Sequence, residues 1–201
     1  VFSGGWFWTA KLAGYSFLIV AGWSSWLRHS AQTQKSLQPA LVRSGHLAAW
    51  AGVITLFTFW IFPTEPIWWG ILHCLAAALL VSNTCLWYKK PQVLVGFGVG
   101  SIVIGIFTAG MTGNWATMIL GLPPQNFRTL DYYPLIPYAG VLWLSAGLGA
   151  SLTQKLAPLE PHLAKKWPGK RVLLWLGQHS LGVYLGHVPI ILTILWLTTL
   201  I

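Results

Sequence analysis

The chain is 201 residues long, 55% hydrophobic and only 7% charged, with a net charge of +9 and a mean hydropathy of +0.64. That composition excludes an ordinary soluble domain. The surplus of cations suggests nucleic acid only until the cations are placed along the chain. They alternate between loops, which is a topology signal and argues against a nucleic-acid partner.

Six stretches of about 18 to 23 residues are almost free of charge, the length that about 30 Å of hydrocarbon requires of a helix. They are Trp6 to Leu27, Gly45 to Phe62, Pro66 to Tyr88, Gln92 to Met111, Tyr133 to Leu152 and Ser180 to Ile201. None shows the period-two polarity of a barrel strand. The expected fold is all-α: a polytopic transmembrane bundle of about six helices forming one domain over residues 1–201. Tryptophans gather near the proposed helix ends, where an amphipathic ring sits at headgroup level.

The first stretch carries Lys11 within its helix, and the loop after it holds Arg28, Lys35 and Arg43. Pro63 to Glu65 reads as a tight external turn and Lys89 to Pro91 as a tight internal one. Helices joined so closely run antiparallel. In the third stretch, His73 is a polar group at membrane depth, read either as a satisfied packing donor or as a base that titrates near neutral pH. Cys74 and Cys85 lie too far apart along one helix to bridge each other, and no metal-ligand spacing is present. Gly96 and Gly100, four apart in GFGVGS, suit a close approach of two membrane helices better than a phosphate loop.

Thr112 to Tyr132 is a longer external loop, ending where Asp131 opens DYYPLIPY. Asp131 is either a helix cap or a catalytic carboxylate. Thr153 to Arg171 is a basic internal loop containing Lys155, Lys165, Lys166, Lys170 and Arg171. Ten of the 12 cations thus sit on alternate loops. The positive-inside bias makes those loops cytoplasmic and places Val1 and Ile201 outside.

The final stretch is read as an interfacial piece, Val172 to Gln178, and a membrane helix starting near Ser180, with Gly177 as the interruption. On a helix Ser180, Tyr184 and His187 lie within about 60° of one another and form one polar stripe. A stripe of this kind in hydrocarbon must face protein or a wet cavity, as functional residues or as interhelical hydrogen bonds.

Three segments together resemble the heparan-alpha-glucosaminide N-acetyltransferase family, particularly its short bacterial members: FPTEPIWWGILHCLAAALL (Phe62 to Leu80), DYYPLIPYAGVLWLSAGLG (Asp131 to Gly149) and WLGQHSLGVYLGHVPIIL (Trp175 to Leu192). AKLAGYSFLIVAGWSSWL, Ala10 to Leu27, resembles an early family helix more loosely. The resemblance implies an integral membrane acyltransferase that takes acetyl from cytoplasmic acetyl-CoA and delivers it across the bilayer to a saccharide or amino-sugar acceptor, without a metal. It also implies one further helix before Val1 and residence in a bacterial cytoplasmic membrane. Carried onto matching positions, His73, His187 and Asp131 are the catalytic candidates, with Ser180 and Tyr184 of the terminal motif as candidates for binding acetyl-CoA. Arg43 matches a recurring family arginine. Arg43, Lys170 and Arg171 also lie on the side expected to receive the phosphates of CoA. The other readings of the same residues are a small-solute transporter with a histidine-lined path and a noncatalytic scaffold. The lipid bilayer is a partner in every case, and a homo-oligomer is compatible with each.

Overall fold

The computed structural model describes residues 5–31, 36–157, 169–179 and 182–186. They are helical: α1 (Gly5–Ala31), α2 (Gln38–Ile61), α3 (Ile71–Trp87), α4 (Pro91–Phe107), α5 (Leu135–Gly147), α6 (Gly149–Leu156) and α7 (Lys170–Gln178), with a 3-10 turn at Thr117–Leu120. Among the described residues there is no strand, only an isolated bridge between Trp69 and Tyr132. The chain divides into two compact units, Val1–Lys155 and Leu156–Ile201.

In the first unit α5 is the hub, packed between α1 and α4, while α2 lies on α3 and α3 also meets α1 and α5. Small residues permit these approaches. A Cβ on Gly98 would stand 2.9 Å from the carbonyl oxygen of Gly140, and one on Gly140 would stand 2.8 Å from that of Gly98. The expected pair, Gly96 and Gly100, instead faces open space. Two residues along a helix turn a side chain by about 200°, so Gly98 lies on the face opposite theirs.

Leu18, Leu86, Leu94 and Leu142 are fully buried in this unit. Several polar groups inside it are paired across helices, as an apolar surrounding favours. The Ser25 and Ser82 hydroxyls are 3.0 Å apart, Ser145 donates to the Ile19 carbonyl at 2.6 Å, and the Trp143 indole donates to that of Ala78 at 3.0 Å.

Among the described residues, only α2 is long and apolar enough by itself to cross a membrane, and α5 with α6, bent by 60° at their junction, forms a second candidate span. Just 17% of the apolar window of α2 is buried, whereas the core helix of a soluble protein is mostly buried. α3 and α4 have 17 residues each.

The expected tight turn at Pro63 to Glu65 is longer: α2 stops at Ile61 and α3 starts at Ile71. Residues 66–70 are held out of the helix by side chains and by the 108–134 connection. The Ile67 N–H donates to the Thr58 hydroxyl at 3.0 Å, Tyr133 N–H donates to Trp69 O at 3.0 Å, and Leu130 N–H donates to Glu65 O at 3.2 Å. Aromatic contacts run from Trp68 to Trp115, on to Phe127 and then Tyr132. The opposite turn, residues 88–90, is as short as expected.

In the second unit α7 ends at Gln178, with Gly177 inside it, and helix resumes over 182–186. Val172, Leu173, Leu174, Trp175 and Leu176 of α7 are exposed, and His179 stacks on Trp175 at 4.6 Å.

Candidate functional site

Two of the expected site residues meet at the N-terminus of α3. The first N–H groups of a helix have no partner within it. Asp131 reaches in from 60 residues away and its Oδ2 accepts the Ile71 N–H at 2.9 Å. The backbone N–H of Tyr132 also donates to this carboxylate. Asp131 therefore caps α3, not the helix that follows it in sequence. Gly70 makes the approach possible, because a Cβ there would overlap Asp131 Oδ2.

His73 serves the same helix end. Its Nδ1 accepts the Gly70 N–H at 3.3 Å, so the proton of a neutral ring belongs on Nε2. Nε2 is 3.3 Å from Thr55 Oγ1, and that hydroxyl gives its own proton to the Ile67 carbonyl at 2.7 Å. Trp69 lies over the imidazole at 5.3 Å. Both ring nitrogens of His73 thus have protein partners, and the Trp69 indole N–H beside it is buried without one.

Next to Asp131 is a cluster that spacing alone did not single out. Lys11 and Tyr15 are one turn apart on α1, and Lys11 Nζ donates to the Tyr138 hydroxyl. The ammonium lies 4.9 Å from the Tyr138 ring centre and 5.5 Å from that of Tyr133. Tyr15 stacks on Tyr138 at 5.6 Å, and Tyr133 meets it at 4.8 Å. Burial pushes the Asp131 carboxyl above the usual carboxylate range, while the Ile71 N–H, the Lys11 charge and the Tyr132 N–H pull it back. Burial, then Tyr138, raises the Tyr132 phenol to about 12; its hydroxyl donates to the Met118 carbonyl at 2.6 Å.

At the other end of α3 is a cavity of about 380 Å³. Arg28 and His29 from α1, Arg43 and His46 from α2, and Asn83 and Trp87 from α3 line it. No carboxylate is among the lining residues. Burial, then the nearby Arg43 charge, lowers the Arg28 guanidinium from its ordinary value. Arginine stays protonated through such a shift, so the cavity holds two cations that repel each other. Arg43 was legible as a candidate. Arg28, His29 and His46 were missed, although their clustering at the facing ends of two consecutive helices was a usable signal.

Lys170 and Arg171 open α7 in the second unit, and Tyr184 is half-buried in the helical stretch 182–186. Ser180 and His187 lie outside the described residues.

No curated protein and no solved structure matches the chain. The family model for the catalytic domain of heparan-alpha-glucosaminide N-acetyltransferase matches residues 1–189, which runs through both units and takes in Arg43, His73, Asp131 and His187. With the ordered motifs and nearly the whole length matched, the chain belongs to the heparan-alpha-glucosaminide N-acetyltransferase catalytic-domain family.

Proposed function

We propose that the protein is a multi-pass membrane acyltransferase, one domain over both units, that moves acetyl from acetyl-CoA to a saccharide acceptor on the far side of a bacterial cytoplasmic membrane. The observation that carries this reading is the polarity of α3. An acid-free cationic cavity lies at its C-terminal end, and a carboxylate and an imidazole lie at its N-terminal end. Seventeen helical residues at 1.5 Å each separate these ends by about 25 Å, close to the thickness of a hydrocarbon core.

The donor enters at the cationic end. Guanidinium groups bind phosphates through paired, charge-assisted hydrogen bonds, and Arg28 and Arg43 supply two of them for CoA. Lys170 and Arg171 in α7, with Ser180 and Tyr184 of the terminal motif, remain donor-side candidates. The basic loops are cytoplasmic in this reading and Ile201 is external. Exposed apolar side chains on α2 and α4, among them Leu56, Trp60, Ile106 and Phe107, suit a lipid surround.

The acceptor binds beside Asp131. His187 is the proposed general base. His73, with both nitrogens engaged by Gly70 and Thr55, positions the α3 end and through it Asp131. Direct transfer requires thioester, acceptor and base within about 3 to 3.5 Å of one another in a water-poor path.

The test is the full-length protein in lipid vesicles, with labelled acetyl-CoA on one side and a saccharide mixture on the other. Label on the saccharide, lost in His187→Ala, supports the enzyme. Solute flux that does not need acetyl-CoA identifies a transporter, and neither activity in folded protein leaves a scaffold.

A further inference from the structure

Near its C-terminal end α2 exposes Leu56, Phe57, Phe59 and Trp60, while Thr55 and Thr58 turn toward the segment 66–70. A helical threonine often returns its hydroxyl proton to the carbonyl one turn back. Thr58 does so, donating to Ile54 O at 2.8 Å, and accepts the Ile67 N–H at 3.0 Å. Thr55 sends its proton to Ile67 O instead, at 2.7 Å. Both backbone groups of Ile67 are therefore held by α2.

The same hydroxyl leaves His73 one protonation state. A hydroxyl has one proton and two lone pairs. With that proton directed at Ile67 O, Thr55 Oγ1 can only accept at its 3.3 Å contact with His73 Nε2, so Nε2 carries hydrogen. Across the ring the Gly70 N–H points at Nδ1 at 3.3 Å, so Nδ1 carries none. The imidazole is a neutral bridge between Thr55 and the residue that precedes α3. Ile71 comes next, and its N–H holds Asp131 Oδ2 at 2.9 Å.

We propose that Thr55 is a positioning residue for acetyl transfer: by accepting the His73 Nε2 proton and donating its own to Ile67, it fixes where α3 begins and hence where the Asp131 carboxylate meets the acceptor. The proposal rests on the acyltransferase reading above. Thr55 acts through His73 and Gly70 and does not touch the reacting groups. It lies twelve residues beyond Arg43 on α2, about 18 Å at 1.5 Å per residue, so donor binding in the cationic cavity is outside its reach.

The experiment gives the full-length protein in nanodiscs labelled acetyl-CoA and a saccharide mixture, beside NMR of nitrogen-labelled histidine, with His73→Gln identifying the His73 signals. Near neutral pH, wild-type His73 should carry its proton on Nε2 alone. Thr55→Val keeps the side-chain shape and removes the hydroxyl. It should lower kcat/KM for the acceptor about ten- to hundredfold, hold the KM for acetyl-CoA within about twofold, and mix the two His73 tautomers. Thr55→Ser returns the hydroxyl and should restore the single tautomer, with kcat/KM within about threefold of wild type. Full transfer in Thr55→Val, or a loss that Thr55→Ser does not restore, overturns the inference and leaves the acyltransferase standing. An imidazolium or an Nδ1–H tautomer in the wild type overturns it too, whether or not Thr55→Val folds. No label on any saccharide from the wild type overturns the acyltransferase reading, and the role in transfer with it.

Discussion

Asp131 has two possible duties, holding α3 together and taking part in acetyl transfer, and a pair of substitutions separates them. Asp131→Ala removes the acceptor of the Ile71 N–H at 2.9 Å and of the Tyr132 N–H. Loss of a helix cap costs about 0.5–2 kcal/mol, and a buried donor left without a partner costs roughly 1–3 kcal/mol. These overlap for Ile71, so the expected total is about 2–4 kcal/mol. At about 2–4 °C per kcal/mol for a chain of this size, the thermal midpoint should fall by roughly 5–15 °C. Asp131→Asn keeps an amide oxygen in the same place. Since burial already disfavours the charged carboxylate, the amide should keep the midpoint within about 3 °C of wild type. The assay is thermal unfolding in detergent beside acetyl transfer in vesicles. Asn at wild-type stability with transfer reduced at least tenfold assigns the carboxylate a role in acceptor binding; Asn with full transfer leaves only the cap. If Asp131→Ala unfolds at the wild-type temperature, the account of the α3 end is wrong.

The same carboxyl gives a pH dependence. Its folded pKa is raised above the ordinary 3.8, so its contribution to stability is fully present below that value and is lost as pH rises through the folded pKa. The thermal midpoint should therefore decline with rising pH above about 4, and Asp131→Asn should remove that slope. In the cationic cavity, Arg28→Ala and Arg43→Ala should each raise the KM for acetyl-CoA about five- to thirtyfold. Charge-assisted hydrogen bonds are worth about 1.5–3 kcal/mol before solvent screening reduces them. An unchanged KM in both variants would remove CoA from that cavity. Gly98→Val, which meets the Gly140 carbonyl and Leu144, should cost about 1–3 kcal/mol. Gly96→Val, facing open space, should stay within roughly 0.5 kcal/mol by the same unfolding assay.

The first five apolar stretches located α1 to α5 because long uncharged runs have few other uses, while the sixth, Ser180 to Ile201, lies mostly outside the described residues. Their chemistry was less visible. Arg43 could be picked from charge alternation, and its end of α2 does line the cavity with Arg28. Asp131 read naturally as a cap for the helix following it, yet it caps α3, because the pairing of Trp69 with Tyr132 and Tyr133 brings segments 60 residues apart together. No local pattern encodes that. His73 sits one turn into α3, and its role follows from which backbone N–H it can reach, which depends on where the helix begins. The start at Ile71 was hidden by the apolar run from Pro66. Lys11 looked like a stray cation until Tyr133 and Tyr138 came from α5 to surround it.

The strapping of the 108–134 connection to the α2–α3 corner has its own outcome. Leu130 N–H to Glu65 O, Tyr133 N–H to Trp69 O and Thr129 Oγ1 to Pro66 O at 2.8 Å stitch the two segments into one plate. Moving that connection away from the corner would break all three bonds together. The Leu130 and Tyr133 amides should then exchange deuterium in step, at one shared rate.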